Sequence, residues 1–207
     1  MKLYDLSFSP NARRVRAVAA ELGTDLELVT VDLAGGANRS GDYLALNPNA
    51  KVPTLVDGDF ALWESNAILC YLAAKKPEAG LLPTDPRGRA EVDRWLFWQA
   101  AHFGPAIGRV MYERAVKPMK GETPDPNEIE RGVAELARFA PVLEQALQNR
   151  EYVAGRLSVA DFSLAANVES APKVGLDLSP YPNIRAWYER IAARDSWKST
   201  APRAPGR

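Results

Sequence analysis

The chain has 207 residues, 46% of them hydrophobic, which is enough for one large domain or two small ones with a substantial core. Its 26 lysine and arginine residues balance its 26 aspartate and glutamate residues, so the net charge of zero argues against nucleic acid and anionic membranes as partners. A single cysteine and a single histidine, with no apolar run that matches a secretion signal or a membrane span, predict a cytoplasmic protein with neither a disulfide nor a metal site.

Strand and helix patterns alternate over residues 1–77. We predict a strand at 2–6, a helix at 11–22, a strand at 25–31, a short helix at 42–46, a hairpin at 54–62 and a helix at 65–75. Gly23 ends the first helix, and the short β-α-β unit predicts that its two strands run parallel. The buried face of the last helix is predicted from four residues: Ile68, Leu69, Tyr71 and Leu72.

Residues 77–87 contain three prolines and a glycine, which predicts a linker at 78–87. Only helical spacing follows this linker. We predict helices at 89–117, 128–148, 158–173 and 184–194, with a bend at Gly104-Pro105 and a frayed tail at 201–207. The chain is therefore predicted to consist of a first domain at 1–77, the linker, and an all-helical domain at 88–207.

Five motifs together resemble those of the cytosolic glutathione transferase superfamily. In chain order they are Asn47-Pro48, Lys51-Val52-Pro53, Glu64-Ser65, Ala67-Ile68 with Tyr71-Leu72, and Ser158-Val159-Ala160-Asp161-Phe162. Each motif is weak alone, but their order and spacing extend the resemblance over nearly the whole chain. The resemblance implies an α/β thioredoxin-like N-terminal domain that binds glutathione, and an all-α C-terminal domain that binds an electrophile. It also implies a homodimer, with glutathione as co-substrate.

The resemblance assigns glutathione binding to the segment around Pro53. In the family the matching proline is cis, which turns the backbone N–H and C=O of Val52 outward to pair with the cysteinyl part of glutathione, as an added strand would. The alternative is a trans proline at the edge of the sheet. Lys51 is implied to meet the glycyl carboxylate, and the alternative is a lysine that is merely solvated.

Glu64 and Ser65 open the helix predicted at 65–75. The free N–H groups and positive dipole end of a helix N-terminus form an anion site, so we expect Ser65 at the γ-glutamyl carboxylate and Glu64 at the γ-glutamyl ammonium. Without the resemblance, Ser65 is an N-cap and Glu64 a first-turn acid, and both roles can hold together. In the family this site is shared between subunits, so the resemblance also implies that Gln99 reaches the γ-glutamyl group across a dimer interface.

The segment Ser9-Pro10-Asn11 is predicted to stabilise the glutathione thiolate. Lowering a thiol pKa from about 8.5 by about two units needs about 2.7 kcal/mol of preferential thiolate stabilisation, which a hydrogen-bond donor near a helix N-terminus can supply. Ser9 matches the serine-type classes of the family, and Asn11 matches the bacterial nu class, so both residues are candidates, with Ser9 first. The alternative is an ordinary serine N-cap followed by proline.

The first long helix of the second domain is expected to line an electrophile pocket between the domains. The candidates are His102, Phe103, Arg109, Met111 and Tyr112. The leading function is attack of the glutathione thiolate on small hydrophobic electrophiles, a detoxification reaction. Glutathione-dependent reduction of disulfides or peroxides in the same site is one alternative. A non-catalytic ligand-binding or protein-interaction module on this fold is another.

Ser158 and Asp161 have the spacing of a capping box, in which a serine bonds forward to the helix and an acid reaches back. In the family this element is structural. We therefore expect Asp161→Ala to cost about 1–2 kcal/mol of stability and to leave glutathione affinity unchanged.

Overall fold

A computed structural model of the protein describes residues 1–202 and divides them into two compact units. The first unit contains Met1–Leu82 together with the described residues from 193 onwards, and the second contains Pro83–Ala192. The division falls inside the predicted linker, but the end of the predicted domain at 88–207 joins the first unit instead. Most of the tail predicted to fray, residues 203–207, lies outside the described residues.

The first unit is built on one mixed four-stranded sheet. In chain order its elements are β1 (Lys2–Asp5), α1 (Pro10–Glu21), β2 (Glu27–Thr30), α2 (Gly41–Leu46), β3 (Thr54–Asp57), β4 (Phe60–Trp63) and α3 (Ser65–Ala74). The strand order is β2-β1-β3-β4, with β1 and β2 parallel and the other two pairs antiparallel. Both the predicted parallel pair and the predicted hairpin are therefore confirmed.

The core of this unit follows the predicted apolar spacing. Leu3 and Leu55 face each other on β1 and β3 and are fully buried, as are Ile68 and Leu69 of α3. The prediction for Tyr71 is wrong, because this residue is only half-buried and its hydroxyl donates to Asp57 on the hairpin (2.8 Å). A tyrosine hydroxyl needs a hydrogen-bond partner, and here Asp57 supplies that partner outside the core.

The second unit consists of helices. They are α4 (Pro86–Trp98), α5 (Gly104–Met111), α6 (Lys117–Met119), α7 (Pro126–Ala146), α8 (Val159–Ser170) and α9 (Pro182–Ala192). Two π-helical turns, Gln99–Phe103 and Tyr112–Val116, join α4, α5 and α6 into one long helical stretch. At the predicted bend, Gly104 keeps helical dihedrals and its N–H bonds the carbonyl of Gln99, so the irregularity is a π turn that precedes Pro105. None of the helices among residues 1–202 is both long and apolar enough to cross a membrane.

Asp161 holds the start of α8 to two other segments. Its carboxylate accepts hydrogen bonds from the backbone N–H and hydroxyl of Ser158 (2.9 and 3.0 Å), so the predicted capping box is confirmed. The same carboxylate also accepts from the backbone N–H of Val153 (3.0 Å) and from the indole N–H of Trp187 on α9 (2.9 Å). Asp161 is fully buried. The cap is therefore also a tertiary link between helices.

A short C-terminal helix, α10 (Asp195–Lys198), fastens the end of the described chain to α1. Glu21 of α1 accepts hydrogen bonds from the guanidinium of Arg194 and the hydroxyl of Ser196. Arg13 of α1 donates to the carbonyls of Trp197 (3.2 Å) and Thr200 (2.8 Å). These bonds explain why residues after 193 join the first unit.

Candidate active site

Six of the predicted site residues meet in one small cleft of the first unit. The cleft has a volume of about 120 Å³ and is lined by Asn11, Asn47, Asn49, Lys51, Val52, Pro53, Glu64 and Ser65. These residues come from three segments: the N-terminus of α1, the loop before β3, and the junction of β4 with α3. Two helix N-termini and one loop backbone therefore converge at the same place.

The loop before β3 exposes the backbone of Val52. The Val52–Pro53 peptide bond is cis, as the resemblance implies. Within residues 1–202, the backbone N–H and C=O of Val52 have no protein partner. Polar backbone groups without a protein partner at the wall of a cleft are available to hydrogen-bond a peptide-like ligand.

A buried polar cluster fixes this loop through the carbonyl of Lys51. The cluster is formed by Tyr43, Asn47 and Thr54. The carbonyl of Lys51 accepts from the hydroxyl of Tyr43 (2.6 Å) and from the side-chain amide of Asn47 (2.8 Å). The hydroxyl of Thr54 lies 3.0 Å from each of these two donors. All three side chains are almost completely buried, and burial raises the pKa of Tyr43, which keeps its hydroxyl protonated. The cluster therefore fixes the peptide that precedes Val52.

Sequence reasoning missed this cluster. Asn47 was recognised only as half of the Asn-Pro motif, and neither Tyr43 nor Thr54 was singled out. The available signal was the presence of three hydrogen-bonding side chains within twelve residues, at positions where the pattern predicts a helix end and a strand start. Such residues need partners when buried, but the sequence does not tell which carbonyl they share.

Ala50 of the same loop has a left-handed backbone conformation, which residues other than glycine rarely adopt. Ala50 has a φ of 54°, and its carbonyl accepts from the side-chain amide of Asn38 (2.7 Å). Asn49 bonds the side-chain oxygen of Asn47 through its backbone N–H (3.0 Å). Side chains of the same unit therefore hold the loop at several consecutive residues before Val52, and the cleft wall is preorganised.

The N-terminus of α3 forms the opposite wall. Glu64 precedes the helix with a φ of 68°, and its carbonyl accepts the N–H of Ile68 (3.0 Å). Ser65 is the first helical residue and is largely buried, so Glu64 and not Ser65 occupies the N-cap position. A positive φ at a residue with a long side chain is costly and marks functional sites often. Glu64 and Ser65 both line the cleft, so the N-terminus of α3, an anion-binding feature, lies at its wall.

The N-terminus of α1 separates the two predicted thiolate donors. Ser9 is the N-cap, and its side-chain oxygen accepts the N–H of Ala12 (3.3 Å), so the ordinary capping role is present. Asn11 is exposed and lines the cleft, whereas Ser9 is not among the residues that line it. Of the two candidates, the geometry of the described residues therefore favours Asn11.

A buried cation links the two helices that bear the cleft. Arg14 of α1 is almost fully buried, and its guanidinium lies 3.4 Å from the side-chain oxygen of Asn66, the second residue of α3. Burial lowers the pKa of Arg14 to about 9, so the side chain stays charged at neutral pH. A positive charge beneath two helix N-termini adds to the preference of the cleft for anions.

The predicted electrophile residues lie in the second unit and have different environments. Phe103 is fully buried and stacks on Trp98 (ring centroids 5.3 Å apart), so it is a core residue. Arg109 pairs with Glu128 and Glu135 of α7. His102 and Tyr112 are exposed, and Met111 is half-buried.

Gln99 does not have the environment expected of a residue that reaches another subunit. It is only 4% exposed, and its side-chain amide donates to Asn167 of α8 (2.8 Å) and accepts from Ser163 (3.3 Å). Its polar side chain is therefore used inside the helical unit, and we leave Gln99 out of the proposed site.

Comparison with known proteins identifies the same family as the sequence motifs. Residues 1–74 match the model of the glutathione S-transferase N-terminal domain, and residues 105–195 match that of the C-terminal domain. Glutathione S-transferase 3 of Zea mays is 38% identical over 99% of this chain and 95% of its own length. The chain belongs to the cytosolic glutathione transferase superfamily. A second relative is the disulfide-bond oxidoreductase YfcG of Escherichia coli. It is 34% identical over 93% of this chain and 91% of its own length.

Solved structures of this superfamily are similar to this chain over nearly its full length. Glutathione S-transferase-I bound with lactoylglutathione is 32% identical, with a TM-score of 0.87 over 97% of both chains. A theta-class glutathione S-transferase from Xanthomonas axonopodis pv. citri, with glutathione bound, is 29% identical, with a TM-score of 0.88 over 99% of this chain and 98% of its own. The predicted thioredoxin-like and all-helical architecture is therefore confirmed.

Proposed function

We propose that this glutathione transferase binds glutathione in the cleft of the first unit and transfers the glutathionyl group to small hydrophobic electrophiles. The observation that carries the proposal is the convergence of the Val52 backbone with the N-termini of α1 and α3 on one cleft. The backbone of Val52 is offered to the cysteinyl part of the tripeptide. Ser65 with the first N–H groups of α3 is offered to the γ-glutamyl carboxylate, and the carboxylate of Glu64 to the γ-glutamyl ammonium.

The chemistry requires a thiolate and not a base. Donors at the N-terminus of α1, with Asn11 as the cleft-lining candidate and Ser9 beside it, lower the thiol pKa by hydrogen-bonding the anion, and the proton leaves to water. A sulfur lone pair then forms the new C–S bond. In a substitution the leaving group departs with its bonding electron pair, and in an addition the electrophile takes up a proton.

Conjugation of chlorodinitrobenzene tests this proposal. Asn11→Ala is expected to lower kcat/KM by about tenfold or more and to raise the pKa of bound glutathione, read from the pH dependence of the rate. Ser9→Ala should have the smaller effect on that pKa and the larger one on thermal stability. Calorimetry that detects no glutathione binding at millimolar concentration would overturn the proposal.

Glutathione-dependent disulfide reduction is the second candidate function. Two observations favour it: the likeness to the oxidoreductase YfcG, and Asn11 as the residue that lines the cleft. One glutathione thiolate attacks the disulfide and releases half of it as a thiolate. A second glutathione thiolate then attacks the glutathione sulfur of the mixed disulfide, which forms glutathione disulfide and releases the other half as a thiolate. The sequence has one cysteine, Cys70, so the protein has no dithiol pair and the second glutathione acts as the resolving thiol. A rate with hydroxyethyl disulfide far above that with chlorodinitrobenzene would favour this function.

Finer assignments also belong to the proposal. We assign contact with the electrophile to His102, Arg109, Met111 and Tyr112, while Phe103 supports this stretch from the core. We assign the protein to the cytoplasm because a single cysteine suits a reducing compartment, and its physiological role to detoxification. Glutathione binding with neither activity would instead favour a ligand-binding or interaction module.

We also propose that the protein is a homodimer. The second unit exposes large apolar side chains that a monomer has no reason to present, including Phe97 of α4, which is 74% exposed, and Val133 and Val142 of α7. Phe97→Asp is therefore expected to halve the mass measured by light scattering. Met119→Asp, at an apolar residue that is 86% exposed, is the control and should leave the mass unchanged. A monomeric wild-type protein would contradict the proposal.

A further inference from the structure

A second and larger concavity lies in the first unit, on the side of the edge strand β2. Its volume is about 640 Å³, within the range of small-molecule pockets. Residues of β1, α1, β2 and the C-terminal segment line it, and none of them lines the glutathione cleft. We call this concavity the β2 groove. Two of its large apolar residues are exposed, Phe8 at 55% and Leu28 at 45%.

The groove exists because α1 does not cover the edge strand. Leu28 of β2 pairs with Leu3 of β1, and paired residues on neighbouring strands point to the same face of a sheet. Leu3 is fully buried, but Leu28 is not. Of the three α1 residues that line the groove, Arg16 is held by its pair with Asp5, and Ala19 and Ala20 are too small to fill the space above Leu28. An apolar surface of this kind is expected to bind an apolar body.

The polar lining of the groove carries a formal negative charge. Asp5 and Asp25 contribute two carboxylates, and Arg16 contributes one cation, so the formal charge of the lining is −1. The guanidinium of Arg16 is used within the protein, because it pairs with Asp5 and donates to the carbonyl of Ser7 (2.8 Å). The exposed carboxylate at the rim is that of Asp25. Five residues with hydroxyl side chains also line the groove: Ser7, Thr24, Thr30, Ser199 and Thr200.

We propose that the β2 groove is a ligand site, separate from the glutathione cleft, for a small protonated amine attached to an apolar ring. The ring lies on Leu28 and the alanines of α1, and the ammonium donates to the carboxylate of Asp25 and the hydroxyls of the rim. A carboxylate on the same ring is disfavoured, because the acids of the groove outnumber its single cation, which is already engaged. The proposal does not depend on the function of the glutathione cleft.

Two probes with one ring and opposite charge test the proposal. They are 2-naphthylmethylamine, protonated at neutral pH, and 2-naphthylacetate, and binding is followed by NMR of the ¹⁵N-labelled full chain. The amine is expected to shift the amides of Ala20, Leu28 and Thr200, and to bind at least about tenfold more tightly than the acid. Equal affinities for the two probes, or shifts confined to other regions, would overturn the proposal, as would a lack of binding at about 5 mM.

Two variants locate the site, with one matched control. Ala20→Leu fills the groove and is expected to weaken amine binding about tenfold or more, while chlorodinitrobenzene turnover stays unchanged. Asp25→Asn removes the rim charge and should weaken binding about threefold, less so at high salt. Asp59→Asn removes an equally exposed acid from the hairpin turn and should have no effect. Retained amine binding in a folded Ala20→Leu variant would refute the placement.

Discussion

At the residue scale, removal of the Tyr43 hydroxyl measures how much the preorganised loop before Val52 contributes to glutathione affinity. Tyr43→Phe removes one of the two donors to the Lys51 carbonyl and leaves the ring, so the peptide before Val52 gains freedom. We expect the glutathione Kd to rise about fivefold, with about 1 kcal/mol lost from the free energy of unfolding. Calorimetry measures the first quantity, and urea unfolding the second.

Tyr71→Phe is the control for this prediction. The change also removes a hydroxyl, that of the half-buried Tyr71, which donates to Asp57 (2.8 Å), but Tyr71 is not among the residues that line the cleft. Its glutathione Kd should equal that of the wild type, with a similar loss of stability. If both variants weaken glutathione equally, the Tyr43 cluster is a general stabiliser and does not position the loop.

Ala50 gives a second prediction at the same scale. An alanine at a φ of 54° is strained, and glycine relieves that strain at the cost of a more flexible unfolded chain. Ala50→Gly is therefore expected to raise the free energy of unfolding by about 0.5 kcal/mol. Ala45→Gly, inside α2, should instead lower it by about 1 kcal/mol. Two changes of the same sign in urea unfolding would contradict the role of the backbone angle.

At the scale of elements, the structure changes the size of the effect expected at Asp161. The capping box alone predicts a loss of about 1–2 kcal/mol, but Asp161→Ala also leaves the buried N–H groups of Val153 and Trp187 without an acceptor. We now expect a loss of about 3 kcal/mol or more, measured by urea unfolding, with unchanged glutathione affinity. Asp125→Ala is the matched control, since Asp125 caps α7 from a half-buried position and should cost about 1 kcal/mol. Equal losses would contradict the tertiary role of Asp161.

The elements also show what the sequence pattern predicts and what it leaves out. Helices and strands with apolar faces were placed to within a few residues, because the burial of one face imposes a period on the sequence. The π turn at Gln99–Phe103 was not predicted, since it changes a hydrogen-bond register without breaking that period. The inward orientation of Gln99 was missed for a related reason: a glutamine is buried only if partners such as Asn167 face it, and those partners are distant in sequence.

The candidate site was predicted from the family resemblance and not from periodicity. Strand and helix patterns alone allow Pro53, Glu64 and Ser65 to be an edge proline, a first-turn acid and a helix cap. The relative exposure of Ser9 and Asn11 depends on how α1 begins, which one turn of sequence does not determine. The C-terminal helix α10, only four residues long, is too short to produce a periodic signal.

At the scale of the whole molecule, Glu21 joins α1 to the C-terminal segment through hydrogen bonds with Arg194 and Ser196. Burial alone would raise the pKa of Glu21, but hydrogen bonds from Arg194 and Ser196 outweigh burial and hold this pKa below its usual range. A carboxyl whose pKa is lower in the folded state stabilises the fold above its unfolded pKa of about 4.3, and this stabilisation is lost as the pH falls toward the folded value. The link between α10 and α1 is therefore expected to weaken in acid.

Glu21→Gln tests this link, because it keeps the shape of the side chain and removes the charge. At pH 7 we expect the variant to lose about 1 kcal/mol of unfolding free energy relative to the wild type, since the ion pair is only partly shielded from water. The difference should shrink when both proteins are measured below about pH 4, where the wild-type carboxylate also becomes neutral. Lys75→Gln, which breaks an exposed pair with Asp57, should change stability little at pH 7. A Glu21→Gln deficit that stays constant down to pH 3 would mean that the packing of α10, and not this charge, holds the C-terminal segment to α1.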